Sequence, residues 1–147
     1  MPMDGLARLT AWQAAQHRSG AVGQFAARTF DVSQQEIALA LWTGDELVVF
    51  TDEERRDLRL LAERVRSRSV ETLFLPTAAL TAFCESLGDE RIEPLRHVVV
   101  AGEALRISAP ARAFFAANPQ CALHNHYGPT ETHVVVAHSL GPDPADW

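Results

Sequence analysis

The segment Asn125-His126-Tyr127-Gly128-Pro129-Thr130-Glu131-Thr132 concentrates groups that can do chemistry. Gly-Pro is a strong turn signal, and Pro129 fixes its own φ while restricting Gly128. An aromatic ring stands before the turn, and a hydroxyl and a carboxylate follow it. So placed, Tyr127 can stack on a base, Thr130 can bond a phosphate oxygen and Glu131 can hold Mg²⁺. The apolar stretches Cys121-Ala122-Leu123 and Val134-Val135-Val136-Ala137 flank the segment. A polar loop at the carboxyl end of a buried strand is where open α/β sheets place ligands. By itself, the segment fits a hairpin turn with an exposed polar tip equally well.

Positioning such a loop takes an ordered series of strands and helices, and the apolar periodicity supplies one. Leu6 to Ala15 reads as an amphipathic helix, with Leu6, Leu9, Trp12 and Ala15 on one stripe. Ala21 to Ala27 is a weak strand. Ser33 with Glu36 fits a capping box, so a helix is expected to start there and to end at Thr43-Gly44-Asp45. Leu47-Val48-Val49-Phe50 is a continuous apolar run, as expected of a strand buried on both faces. Thr51 with Glu54 offers a second box, opening one helix to about Arg68 on Leu58, Leu61 and Val65. Val70 to Leu75 reads as a strand stopped by Pro76, and Ala79 to Leu87 as a helix with Leu80 and Phe83 inward. Leu95 to Ala101 reads as a strand, with Gly102-Glu103-Ala104 at its carboxyl end. Ile107 to Ala117 reads as a helix with Pro110 in its first turn. Cys121 to Asn125 and His133 to His138 read as strands, and residues 141–147 as the start of a linker. Strands alternating with helices predict an α/β protein with a mostly parallel sheet flanked by helices. In that arrangement Asp31, Gly102 and Thr130-Glu131 fall on one rim.

At 147 residues the chain makes a single domain, 1–147, with room for a sizeable core. Net charge is −6 with no basic run, so neither nucleic acid nor a membrane is an expected partner. All 13 basic residues are arginine, so the chain supplies no lysine to any mechanism. Met1-Pro2-Met3-Asp4 is not a signal peptide, and no apolar run is long enough to span a membrane. Cys84 and Cys121 are isolated. Free thiols in a reducing cytoplasm are the simplest account, with one disulfide the alternative.

Several stretches resemble one family in order and spacing. They are Phe30-Asp31-Val32-Ser33 with Glu36-Ile37, Leu73-Phe74-Leu75-Pro76, the run from Leu95 to Leu105, and Asn125 to Thr132. The family is the adenylation domains of nonribosomal peptide synthetases, in the adenylate-forming superfamily. Gly5-Leu6 and Ala11-Trp12-Gln13 resemble the helix that precedes those motifs. The resemblance covers nearly the whole chain and implies the flavodoxin-like substrate-specificity subdomain. The family condenses an amino acid with ATP, giving an aminoacyl adenylate and pyrophosphate. It then loads the amino acid on a phosphopantetheinyl carrier protein. Charge builds on phosphoryl oxygens during the first step, where cations and positioned donors stabilise it.

The resemblance also implies roles. Asp31 would pair with the substrate α-ammonium, an interaction favoured where water is excluded. Ser33 is expected to cap the helix and so leave Asp31 for the ligand. Val32, Gln35, Phe74, Val99, Ala101, His126, Val134 and Val135 would complete the amino-acid pocket, and with Asp31 they look like the pattern of proline-activating domains. Val32, Phe74, Val99, Val134 and Val135 would form a small apolar box for a pyrrolidine ring, and Gln35 and His126 would bond each other. Pipecolate or a substituted proline stays open, because one methylene is worth only about 1–3 kcal/mol. On the nucleotide side Tyr127 would lie against adenine, with Asn125 and the backbone of Gly102, Glu103 and Ala104 at its edge and Gly128 in the turn. Thr130 would hold a phosphate and Glu131 Mg²⁺.

The family's phosphate loop, ribose-binding aspartate and mobile lobe have no counterpart between Met1 and Trp147, and its catalytic lysine is absent. The chain alone is therefore expected not to adenylate, no residue is assigned a catalytic role, and the remainder of the adenylation domain is an expected partner. Two other classes fit parts of the sequence. Cys121, His124, His126 and His133 are of zinc-ligand type, although strand alternation puts Cys121 opposite His124 and His126. A non-catalytic flavodoxin-like module kept as a structural or docking domain would explain the α/β pattern without the motifs.

Overall fold

In the computed structural model, which describes residues 3–16, 20–129 and 131–147, helices and strands alternate along the chain. The order is α1 (Met3–Gln16), β1 (Ala21–Gln24), α2 (Val32–Thr43), β2 (Leu47–Val49), α3 (Asp52–Arg56) and α4 (Leu58–Ser67). It continues with β3 (Val70–Leu75), α5 (Thr77–Leu87), β4 (His97–Ala101), α6 (Ala109–Ala117), β5 (Ala122–Tyr127) and β6 (Val136–Ser139). The six strands form one sheet, ordered β2-β1-β3-β4-β5-β6. β1 to β5 run parallel, and β6 closes the far edge antiparallel to β5. The parallel part is the flavodoxin-like order, whose topological switch lies between β1 and β3.

Strand alternation divides the interior into two layers. Leu73, Leu75, Val98, Val100 and Leu123 point to the side covered by α4, α5 and α6, where Leu61, Val65, Leu80, Phe83, Phe114 and Phe115 are buried against them. Val22, Phe74 and Val99 point the other way, against Leu39 and Ala40 of α2. Helices therefore cover both faces, which is why Leu73-Phe74-Leu75 of β3 and Val98-Val99-Val100 of β4 are continuous apolar runs. Truncating a fully buried ring such as Phe83 to alanine costs about 3–5 kcal/mol. Cys84 and Cys121 are free and buried in the larger layer. Burial pushes the Cys84 thiol up to about 12, and drives Cys121 up as well.

Local signals fared unequally. Thr51 and Glu54 form the expected capping box, with both reciprocal bonds present. The expected single helix from there to Arg68 is broken at Asp57, which takes an extended conformation and accepts from Arg59 N–H and Leu60 N–H to start α4. The other expected box, Ser33 with Glu36, does not form. Asp31 is the N-cap of α2, Ser33 Oγ donates to the Phe30 carbonyl, and Glu36 turns into the interior. β2 is an edge strand with Val49 56% exposed, so the run Leu47 to Phe50 is not buried on both faces. Residues 141–147 fold back on α6. Arg112 donates to the Pro144 carbonyl at 2.6 Å, and the Trp147 ring lies 5.1 Å from that of Phe115. Among the described residues, no helix is long and apolar enough to cross a membrane.

Candidate functional site

The chain leaves β1 toward β2 on one side and returns to β3 on the other, so the loops after these strands diverge and open a crevice. A cavity of about 310 Å³ fills it, walled by Phe25 to Ala27 after β1, by Phe74 and Pro76 at the end of β3, and by Val99 and Ala101 of β4. Asp31 and Val32, at the start of α2, stand at one side, and Gly102 and Glu103 close the other. Gly102 turns the chain out of β4 at φ 92°, a conformation suited to glycine. Asp31 is half-buried, and its Oδ1 accepts from Val32 N–H at 2.8 Å. The cap uses one carboxylate oxygen, and the charge stands beside the walls of Phe74 and Val99.

Behind this cavity lies a buried polar cluster. The Gln35 amide nitrogen is 3.0 Å from Gln13 Oε1 and 3.3 Å from His126 Nδ1. An amide nitrogen only donates, so His126 accepts through Nδ1. The Gln35–His126 bond expected from the sequence is present. Gln13, which brings α1 into the cluster, is a member that residue types alone did not reveal. The Trp12 ring lies 6.0 Å from that of His126.

The loop after β5 is held by its own backbone. Val135 N–H donates to the Tyr127 carbonyl at 2.8 Å. A Cβ on Gly128 would stand 1.6 Å from the His133 carbonyl oxygen, so only glycine fits that closure. His133 has φ 62° and is 4% exposed. Burial holds its imidazole below the usual value, and the nearby charge of Asp31 opposes that shift.

Alternation along β5 sorts the remaining positions. His124 and His126 face the α1–α2 side, whereas Asn125 and Tyr127 face the α6 side. Tyr127 is 71% exposed. Asn125 borders a second cavity of about 350 Å³, with Leu105, Ile107, His138 and Trp147. Val134 and Val135 line neither of these. They face a separate groove of about 490 Å³ against Leu9 and Trp12 of α1. Ala104 and Glu131 are exposed, and Thr130 lies outside the described residues. Of the expected amino-acid pocket, then, Asp31, Val32, Phe74, Val99 and Ala101 share one cavity, Gln35 and His126 lie buried behind it, and the valine pair stands apart.

His124, weighed above as a zinc ligand, instead contacts His97 at 3.1 Å and Ser139 at 2.8 Å. Among the described residues no group of three or more metal-ligating side chains occurs. Glu36, read from the sequence as half of a capping box, is fully buried beside the cavity. Its carboxylate accepts from Gln24 Nε2 at 2.8 Å and from the N–H groups of Phe25 and Ala26, both at 3.0 Å. The detectable signal was an acidic residue at a core-facing helical position.

Residues 5–147 match the family described as AMP-binding enzyme. Gramicidin S synthase 2 of Brevibacillus brevis is 34% identical over 127 residues, covering 85% of this chain and 3% of that protein. L-proline--[L-prolyl-carrier protein] ligase of Streptomyces coelicolor is 29% identical over 143 residues, covering 94% of this chain and 27% of the relative. The crystal structure of the Vibrio cholerae adenylation domain AlmE in complex with glycyl-adenosine-5'-phosphate superposes with a TM-score of 0.80 at 23% identity, over 94% of this chain and 26% of that one. The chain thus spans a small part of each of these proteins.

Proposed function

The chain belongs to the AMP-binding enzyme family, as a fragment of an adenylation domain of the nonribosomal peptide synthetase kind, and from that premise we propose that it is the part that selects the amino acid. The amino acid is proline or a close analogue, which the complete enzyme joins to ATP as the aminoacyl adenylate and passes to a phosphopantetheinyl carrier protein. The observation that carries this reading is the cavity at the β1/β3 switch, with a carboxylate at its mouth and apolar walls behind. A volume of about 310 Å³ is at the small end of ligand pockets, which run from about 300 Å³. Its apolar walls suit a hydrocarbon ring. Asp31 would take the secondary ammonium, and Val32, Phe74 and Val99 the ring methylenes. The Gln35–His126 bond supports the same choice, because it turns two polar groups toward each other rather than toward an apolar ring. Similarity to a proline ligase at 29% identity points the same way.

On the α6 side, Tyr127 and Asn125 would meet the adenine, Gly102 to Ala104 and Gly128 would let the backbone approach, and Thr130 would hold a phosphate. Glu131 is an exposed hard-oxygen donor, as Mg²⁺ requires, and that ion typically takes one or two carboxylates and keeps several waters. When bound, Mg²⁺ would neutralise phosphate charge. The chain's own contribution is orientation, with Asp31 fixing the ammonium end so that the substrate carboxylate lies toward the nucleotide side.

The test is an NMR titration of the 147-residue chain with prolylsulfamoyl adenosine, using the phenylalanyl compound as control. Shifts are expected at Asp31, Val99 to Ala104 and His126 to Val135 with the prolyl form only. Asp31→Asn makes the control inside the protein. Asparagine caps a helix as well as aspartate does, so stability should hold, whereas loss of the charge-assisted bond should weaken binding about tenfold or more. Equal affinity for both compounds, or an Asp31→Asn variant that binds like the parent, would sink the reading.

A further inference from the structure

Where β1 ends at Gln24, the next two N–H groups, of Phe25 and Ala26, leave the sheet and form a wall of the amino-acid cavity. Both donate to one oxygen of Glu36, Oε1, at 3.0 Å. The other oxygen, Oε2, accepts from Gln24 Nε2 at 2.8 Å, and the same amide nitrogen lies 2.6 Å from the Ala26 carbonyl. The peptide after β1 is therefore ringed by Glu36 and Gln24. Arg55 of α3 holds the ring from outside, donating to Gln24 Oε1 at 2.9 Å and to the Gln24 carbonyl at 3.3 Å. Three donors converge on two oxygens of Glu36. An ionised carboxylate accepts at both, whereas an amide must turn an NH₂ toward at least one of those donors. Glu36 also belongs to α2, whose N-cap is Asp31. One buried carboxylate thus joins the β1 wall to the helix that carries the ammonium ligand.

We propose that Glu36 is a positioning residue of the amino-acid cavity, fixing the distance between the Phe25–Ala27 wall and Asp31 and so helping to set which side chain the cavity accepts. This rests on the reading of that cavity as the amino-acid site. Glu36 touches no substrate; it acts through the peptide it holds.

The experiment compares the 147-residue chain with its Glu36→Gln variant, titrated by NMR with prolylsulfamoyl adenosine and with the phenylalanyl compound. Amide hydrogen exchange at Phe25 and Ala26 is followed in both. In Glu36→Gln, affinity for the prolyl compound should fall about tenfold. The preference for prolyl over phenylalanyl should narrow, and the two amides should exchange faster than those of β3 and β4. A role confined to stability would lower the unfolding temperature and leave the preference among folded molecules intact, which overturns the proposal. Arg55→Gln removes only the outer support. It should shift the same two amides with a smaller loss of affinity, and it decides the matter if Glu36→Gln does not fold. If neither compound binds the parent chain, the cavity reading itself has failed. The proposal about substrate choice then falls with it, and the exchange of the Phe25 and Ala26 amides reports only whether Glu36 holds that wall.

Discussion

Asp31 and Glu36 lie on the same helix in opposite surroundings. Asp31 stands half-exposed at a cavity mouth, and Glu36 is sealed inside. Burial raises the Glu36 carboxyl from an ordinary 4.5 to about 7, against the bonds from Ala26, Gln24 and Phe25 and the charge of Arg55. Between those two values the folded chain binds more protons at Glu36 than the unfolded chain does. Stability from this group is therefore fully present below about pH 4.5 and is lost as pH rises through about 7. The amplitude is up to about 3 kcal/mol, since one pKa unit is 1.36 kcal/mol. Thermal unfolding from pH 5 to pH 8 should show this decline, and Glu36→Gln should remove it. A slope unchanged in the variant would mean that other groups produce it. The ionised form that best holds the cavity wall is thus the form that folding tolerates least, a tension common at functional sites. Residue types alone could suggest the Gln35–His126 bond, because two polar side chains aimed at an apolar ring need each other. They could not suggest Gln13 or the ring around Phe25–Ala26, which depend on how α1 and β1 meet α2.

At the scale of elements, two identical local patterns had different outcomes. Thr51-Asp52-Glu53-Glu54 and Ser33-Gln34-Gln35-Glu36 both spell a capping box. The first is exposed, with nothing competing for Glu54, and the box forms. In the second, the unpaired N–H groups at the end of β1 claim Glu36, and Asp31 caps instead. Tertiary demand overrode local propensity where the site is built, and that is the kind of place where such conflict is expected. The alternation of strands and helices was legible because apolar runs such as Val98-Val99-Val100 stand between amphipathic segments, and the break at Asp57 was not, because no glycine or proline marks it. The separation of Val134 and Val135 from the main cavity was also hidden, since it follows from the turn at Gly128. There the closure leaves no room for a side chain, with the His133 carbonyl 1.6 Å from a Cβ. Gly128→Ala should therefore displace the 128–135 loop at a cost of about 1–3 kcal/mol. Urea unfolding would measure that loss, and NMR should show shifts at His133 to Val135 while amides of β3 stay unmoved. An alanine variant as stable as the parent, with an unshifted loop, would show that the closure is loose.

For the molecule as a whole, recognition and chemistry make different demands. Recognition needs a shaped cavity with a fixed charge, and this fold offers one where the loops after the paired strands β1 and β3 diverge, with both faces of the sheet sealed by helices. Phosphoryl chemistry needs cations where negative charge develops. Every basic residue of the chain is arginine, and none lines the cavity beside Asp31. Arg55, Arg66 and Arg112 are engaged elsewhere, on Gln24, on Glu90 and on the 144–147 turn. On the proposed reading the two halves of the ligand would meet opposite faces of β5, the amino acid on the His126 side and the base on the Tyr127 side, so the reacting atoms would fall near the sheet's carboxyl rim. The chain has no lysine to place there. Binding without turnover is the expected behaviour of the 147-residue chain. Prolylsulfamoyl adenosine should perturb its NMR spectrum, while pyrophosphate release from ATP and proline should stay at the rate of the buffer alone. Steady, proline-dependent release by the purified chain would overturn this division, and would place a catalytic cation among the arginines.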